Sequence, residues 1–228
     1  MRNIVVVKGI SGSGKSSRVF QIIKFLEHLG CEFEDFMYLN NESKNRNIGI
    51  LCKDLNILFF GKKYGYENGV ERWQGYDSVT GAFLKASYFS EFLFDNLDKY
   101  LFFVEGAGIT QTNRLRPKFL SELGFKDIFI QYYNYENKSD YLDRIIYRSG
   151  KPPKKDVMWD KNVGFIQDMK WSLEDEESGI NCVVMDNKFD SPIYDLGVKF
   201  FTMIGMEDYI DEFLEFVSKF DYINKNKF

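Results

Sequence analysis

Ile4 to Val7 is an unbroken run of apolar, mostly β-branched residues, and Gly9 to Ser17 (GISGSGKSS), just beyond it, is small, flexible and polar. A short all-apolar run that stops at glycine predicts a strand buried on both faces. From Ser16 onward (SSRVFQIIKFLEHLG), Val19, Ile22, Ile23 and Leu26 recur at helical spacing and the pattern ends before Gly30, which predicts an amphipathic helix. Phe33 to Leu39 reads as a strand and NNESKNRN after it as a solvated loop. Ile48 to Phe60 (IGILCKDLNILFF) reads as two short strands around Lys53 to Asn56, a hairpin, followed by the glycine-rich GKKYGYENG. Ser78 to Leu97 carries a helical pattern. Apolar strands are expected at Tyr100 to Val104, Asp127 to Tyr133 and Asn181 to Met185, with helical segments between them. Met206 to Phe220 is expected to close the chain as an amphipathic helix, and the Lys- and Asn-rich tail to fray. Strands alternating with helices predict an α/β fold, a parallel sheet covered on both faces.

The chain has 228 residues, enough for one large domain or one domain carrying an insertion. Aromatic residues make up 18%, and because they are scattered through apolar runs they are expected in the core. A formal charge of −4 argues against a surface that coats nucleic acid, while leaving room for a local basic channel. Cys31, Cys52 and Cys182 are far apart and odd in number, with neither a disulfide framework nor metal-ligand spacing, and His28 is the single histidine. The expectation is a reduced, zinc-free, cytoplasmic protein. No signal peptide precedes the first strand, and no apolar run approaches the ~20 residues of a membrane span.

The stretch after the first strand changes this picture. Gly9, four residues, Gly14, Lys15 and Ser16 satisfy the P-loop pattern, in which backbone N–H groups point inward around phosphate oxygens. The candidate cradle is Gly9, Ser11, Gly12, Ser13, Gly14, Lys15, Ser16 and Ser17. The helix N-terminus adds partial positive charge to it. Lys15 is expected on the β and γ phosphates and the Ser16 hydroxyl on Mg²⁺. Glu105, at the end of the LFFV strand, either holds that metal or its water, or is an ordinary surface acid. In ERWQGYDSVTG, Arg72 is a candidate anion anchor and Trp73 and Tyr76 are candidate base-stacking rings. Asp77 is either a helix cap or the base that takes a proton from an attacking hydroxyl. Arg144 and Arg148 share a helical face ahead of a loop bounded by Gly150 and Pro152-Pro153. They form either a cover that neutralises a transferring phosphoryl group or a solvated face paired with Asp140 and Asp143. Arg114 and Arg116 are further anchors for an acceptor. NKFD, Asn187 to Asp190, matches a guanine-reading motif, but no DxxG follows the strand ending at Val104, and an accidental match is expected.

Taken together, Gly9 to Ser16, Glu105-Gly106 after a strand, and Arg144/Arg148 before a lid-like loop resemble the P-loop kinases of the nucleoside and nucleotide monophosphate kinase type, from residue 1 to about 205. The resemblance implies a three-layer α/β/α P-loop NTPase fold with about five parallel strands, ATP with Mg²⁺, and transfer of the γ-phosphoryl group to a second substrate. It assigns Lys15 to the phosphates, Ser16 to the metal, and Arg144 and Arg148 to the lid. It also implies a single kinase domain, 1–228, with an acceptor-side insertion at 48–77 and a lid-like segment at 144–162. The Gly61-x-x-Tyr64 and Gly75-x-Asp77 pattern in LFFGKKYGYENGVERWQGYDSV is similar to one in small P-loop proteins of bacteriophages. Some of those are kinases of 5-hydroxymethyluracil already in DNA. The expected acceptor is therefore a nucleoside, a nucleotide or a hydroxymethyl base in DNA, with the host cytoplasm as the compartment if the chain is viral. The competing reading is a nucleotide-dependent switch or ATPase that passes the phosphoryl group to water; the lid-like arginines favour a kinase.

Overall fold

The computed structural model describes residues 2–10, 13–39, 45–65, 71–75, 83, 85–106, 113–152, 157–187 and 195–225. The strands are β1 (Asn3–Gly9), β2 (Phe33–Leu39), β3 (Asn45–Cys52), β4 (Ile57–Gly65), β5 (Glu71–Gly75), β6 (Leu101–Glu105), β7 (Asp127–Tyr133) and β8 (Cys182–Asn187). The helices are α1 (Lys15–His28), α2 (Ala86–Asp95), α3 (Pro117–Leu123), α4 (Lys138–Ser149), α5 (Val157–Glu177), α6 (Asp195–Met203) and α7 (Ile210–Lys225). The sheet has eight strands in the order β2-β3-β4-β6-β1-β7-β8, with β5 paired to β4. The run β4-β6-β1-β7-β8 is parallel throughout, and β2 and β3 extend it antiparallel at one edge.

The hairpin expectation is correct in its turn and wrong in its place. The strands turn at residues 53–56, but β4 is a member of the parallel core rather than part of an appended insertion, and the sheet is larger than about five strands. Ile57, Leu58, Phe59 and Phe60 are each at most 1% exposed. A strand apolar on every residue needs cover on both faces, and only a position inside the sheet provides it. Phe33 to Leu39, half-exposed along its length, takes the edge instead.

Alternation along each central strand divides the core in two. Ile4 and Val6 of β1, Leu58 and Phe60 of β4, and Phe102 and Val104 of β6 face α2, α3, α4 and α5. Val5 and Val7, Ile57 and Phe59, and Leu101 and Phe103 face α1, α6 and α7. The aromatic residues fill these layers as expected. Phe83, Phe89 and Phe92 pack around Phe60 with ring centroids 5.7 to 6.1 Å away, in tilted and edge-on contacts that suit the ring quadrupoles. Among the described residues no helix is long and apolar enough to cross a membrane.

A charge cluster ties α1 to β4 and β5. Lys24 lies 2.8 Å from Glu27 and 2.6 Å from Glu71, and Lys63 also pairs with Glu27. Burial acts to raise the Glu27 carboxyl, but Lys24 and Lys63 outweigh it and hold the group below its ordinary 4.5. A carboxyl depressed in the folded state stabilises above its unfolded value, and the contribution is lost as pH falls through the folded one. Glu27→Gln is expected to lower Tm at pH 7 by about 2–4 °C, the size of a ~1 kcal/mol loss in a chain of this length. The difference from wild type should shrink below pH 4.5, as melts across a pH series would show.

Candidate active site

β1 lies between β6 and β7, and the chain leaves it toward β4 on one side and later returns past it to β7 on the other. In open α/β sheets a ligand crevice forms at the carboxyl ends of the strands where the winding reverses. Gly9 ends β1 there with φ +140°, and a Cβ on it would stand 2.4 Å from the Tyr133 carbonyl oxygen. Gly14 caps α1 in the left-handed region at φ +91°. The Ser13 amide and hydroxyl both donate to the Ile10 carbonyl, at 3.3 and 2.8 Å, and tighten the turn. The Arg18 amide donates to the Gly14 carbonyl at 3.2 Å, within the first turn of α1. Ser11 and Gly12 lie outside the described residues.

Lys15 is buried, and its Nζ donates to the Ile10 carbonyl at 2.7 Å, so the ammonium is tucked into the loop itself. The Ser16 Oγ stands 3.3 Å from each carboxylate oxygen of Glu105. Glu105 is 2% exposed, which removes the surface-acid reading. The pairing follows from register: Val7 of β1 is opposite Glu105 of β6, two residues before the loop begins. Hydroxyl and carboxylate oxygens are hard donors, the kind that Mg²⁺ takes.

β5 closes in from the other side. β4 bends at Gly61 (φ +149°), and beyond the bend it pairs with β5 alone, Gly61 opposite Gly75. A Cβ on Gly75 would lie 2.2 Å from both the carbonyl oxygen and the Oε2 of Glu105. Arg72 sits on β5 and is partly exposed. Trp73 is 3% exposed and packs edge-on against Phe59, with its ring over Gly61, so its faces are taken up by the core. Tyr76 and Asp77 lie outside the described residues, as do residues 188–190 of NKFD. Arg114 is partly exposed in the short 3₁₀ turn Asn113–Leu115, and the Arg116 guanidinium lies 4.9 Å from the Trp171 ring centroid. Arg144 and Arg148 are on α4, which ends at Gly150 in the left-handed conformation; their side chains are outside the described set.

The fold and the site define an α/β protein with a glycine-rich loop at the carboxyl end of a central parallel strand. Within that class the chain belongs to the family described as 5-hmdU DNA kinase 2, whose model matches residues 1–203. It is 25% identical over 175 residues, 75% of this chain, to the 5-hmdU DNA kinase 2 of Salmonella phage ViI. The matched region spans 57% of that relative's length.

One part of this end of the sheet was not anticipated. Lys8, the residue before Gly9, has a fully buried side chain whose Nζ lies 2.7 Å from Asp168 Oδ2 on α5. The Tyr132 hydroxyl donates to the same oxygen at 2.7 Å and bonds the Ser172 hydroxyl at 2.9 Å. Burial pulls the Lys8 ammonium below its ordinary value and Asp168 opposes it; burial also raises the Tyr132 hydroxyl, which stays neutral. Six residues before Asp168, the Asn162 side chain accepts from the Tyr135 amide at 3.1 Å and donates to the Tyr135 carbonyl at 2.9 Å. Asn162, Asp168 and Ser172 thus tie helix α5 to the carboxyl ends of β1 and β7. A lysine ending an all-apolar strand was the available signal, since it cannot be buried there without an acid from another element. Lys8→Met is expected to cost about 3–5 kcal/mol by stranding Asp168. Lys8→Met/Asp168→Leu should recover most of that loss, and urea unfolding of the three proteins measures it.

Proposed function

We propose that the chain is an ATP-dependent phosphotransferase of the P-loop NTPase fold that moves the γ-phosphoryl group onto the hydroxymethyl oxygen of 5-hydroxymethyluracil in DNA. The observation that carries this reading is the pairing of Ser16 with buried Glu105 at the start of α1, beside a Lys15 whose Nζ turns back to the Ile10 carbonyl, at the reversal in strand order. The family supports the acceptor.

In this mechanism the backbone amides of the loop and of the first turn of α1 bind the donor's phosphates, with the helix dipole adding to the field. Lys15 exchanges the Ile10 carbonyl for the β and γ phosphates and stabilises charge as it develops on the transferred group. Ser16 and Glu105 would hold Mg²⁺, which would supply neutralisation of phosphate charge and orientation of the donor. Asp77 takes the proton of the attacking hydroxyl, and Arg144 and Arg148 cover the phosphoryl group and exclude water. Arg72, Tyr76 and Arg114 hold the acceptor. All of this lies within one kinase domain, 1–228, with the acceptor on the 48–77 side and a lid at 144–162.

Incubation with γ-labelled ATP and DNA containing hydroxymethyluracil, thymine DNA, free nucleosides and monophosphates tests the proposal. Label is expected on the hydroxymethyluracil DNA. Label released only as inorganic phosphate would establish the ATPase or switch reading instead. Lys15→Ala should lower transfer by roughly 10²-fold or more with an unchanged melt, because the lysine acts on developing charge. Asp77→Asn retains a capping acceptor but cannot take a proton, so a loss of roughly 10²-fold with unchanged Tm is expected. A wild-type single-turnover rate in Asp77→Asn would leave that residue as a cap only.

A further inference from the structure

The cysteines that are far apart in sequence are not isolated in the fold. The Cys31 and Cys52 sulfurs and a carboxylate oxygen of Asp54 all lie within 4.8 Å of one another. They sit at the opposite end of the sheet from the candidate active site, since Cys52 pairs with Ile57 and Ile57 with Leu101, where β6 begins. From there to Glu105 is about 13 Å along the strand.

We propose that Cys31, Cys52 and Asp54 form a zinc site that clamps the end of α1 to the turn between β3 and β4. The ligands come from two rigid pieces of backbone. On one side, α1 ends with Gly30 in the left-handed conformation (φ +87°), the Gly30 amide donating to the Glu27 carbonyl and the Cys31 amide to the Leu26 carbonyl, both at 3.0 Å. This double bond pattern is a Schellman ending, and it fixes the backbone of Cys31. On the other side, the turn at residues 53–56 closes with Asn56 at φ +52° and a 3.4 Å bond from its amide to the Lys53 carbonyl. Two reciprocal bonds join the pieces: the Lys53 amide to the Glu32 carbonyl at 3.0 Å, and the Glu32 amide to Asp54 Oδ2 at 2.7 Å. The second bond orients the carboxylate while its other oxygen keeps its ligand capacity, the service that an outer hydrogen bond gives a metal ligand.

Spacing and chemistry agree. Around one tetrahedral zinc, with Zn–S about 2.3 Å and Zn–O about 2.1 Å, neighbouring ligand atoms stand roughly 3.5–3.8 Å apart. The three groups need only side-chain adjustment to reach that, and water supplies the fourth position. Two sulfurs and an oxygen favour zinc over Mg²⁺, which takes oxygen alone. Thiols bind zinc as thiolates, so zinc enters by displacing their protons.

Titration of the full chain with Co²⁺, under a phosphine reductant and without nucleotide or DNA, tests the site. One equivalent is expected to bind with sulfur-to-cobalt charge-transfer absorption, and Zn²⁺ should displace it and raise Tm. Cys31→Ser, at the more exposed of the two cysteines, should abolish the charge-transfer bands, and Cys182→Ser, on the far edge strand, should retain them. Cobalt bound without sulfur bands, as at Ser16 and Glu105, would overturn the proposal. So would bands that persist in Cys31→Ser, or no binding at all. Asp54→Asn should weaken zinc at least tenfold, and an unchanged affinity would remove the carboxylate from the ligand set.

Discussion

Parallel strands cannot be joined by tight turns, and β1 is buried between two parallel neighbours. Each departure from it must therefore cross a face of the sheet, with helices as the cover. The chain leaves β1 through α1 on one face and reaches β7 by way of helices on the other. This brings Gly9, Glu105 and Tyr133 to one end of three adjacent strands, and there the first turn of α1 meets the last residue of β6. The loop has to pass the Tyr133 carbonyl at a distance that excludes a Cβ, so the same glycine that starts the motif also lets the sheet close beneath it.

Features encoded over a few residues were legible in the sequence. The loop and its helix are recorded in Gly9 to Leu26, and the turn at 53–56 lies between two apolar runs. Partners that are distant in sequence were not legible. That β4 lies in the sheet interior depends on β6 arriving some forty residues later, although the fully apolar ILFF was its trace. Trp73 reads as a ring beside an arginine until Gly61 is seen to leave it a slot. β3 begins at Asn45, inside the polar stretch read as loop, because edge pairing with β2 uses backbone rather than apolar side chains. Lys8 and Asp168 are 160 positions apart, and Cys31 and Cys52 meet only because a helix end and a hairpin turn are clipped together.

Charge at the two ends of the sheet is organised differently. Lys8 is held by a carboxylate from a helix on the opposite side of the chain, with Tyr132 and Ser172 completing the arrangement. Such a buried pair is costly to break and gains little from change, which suits a structural bolt. Lys15, seven residues later, bonds a carbonyl of its own loop. That bond is local, made within the turn that precedes α1.

The turn of β4 at Gly61 links β5 to the end of β6. Up to Phe60 the strand belongs to the sheet, and beyond Gly61 it carries β5, so one residue separates core from hairpin. Trp73 folds back over Gly61 and anchors β5 in the core, and Gly75 then rests against Glu105. The chain continues from that contact toward Tyr76 and Asp77. A displacement of β5 is therefore felt first at a buried carboxylate that also faces Ser16. With close-packed backbone on one side and a helix N-terminus on the other, Glu105 has little room to move independently of either. β5 and the first turn of α1 share this one acid as their point of contact.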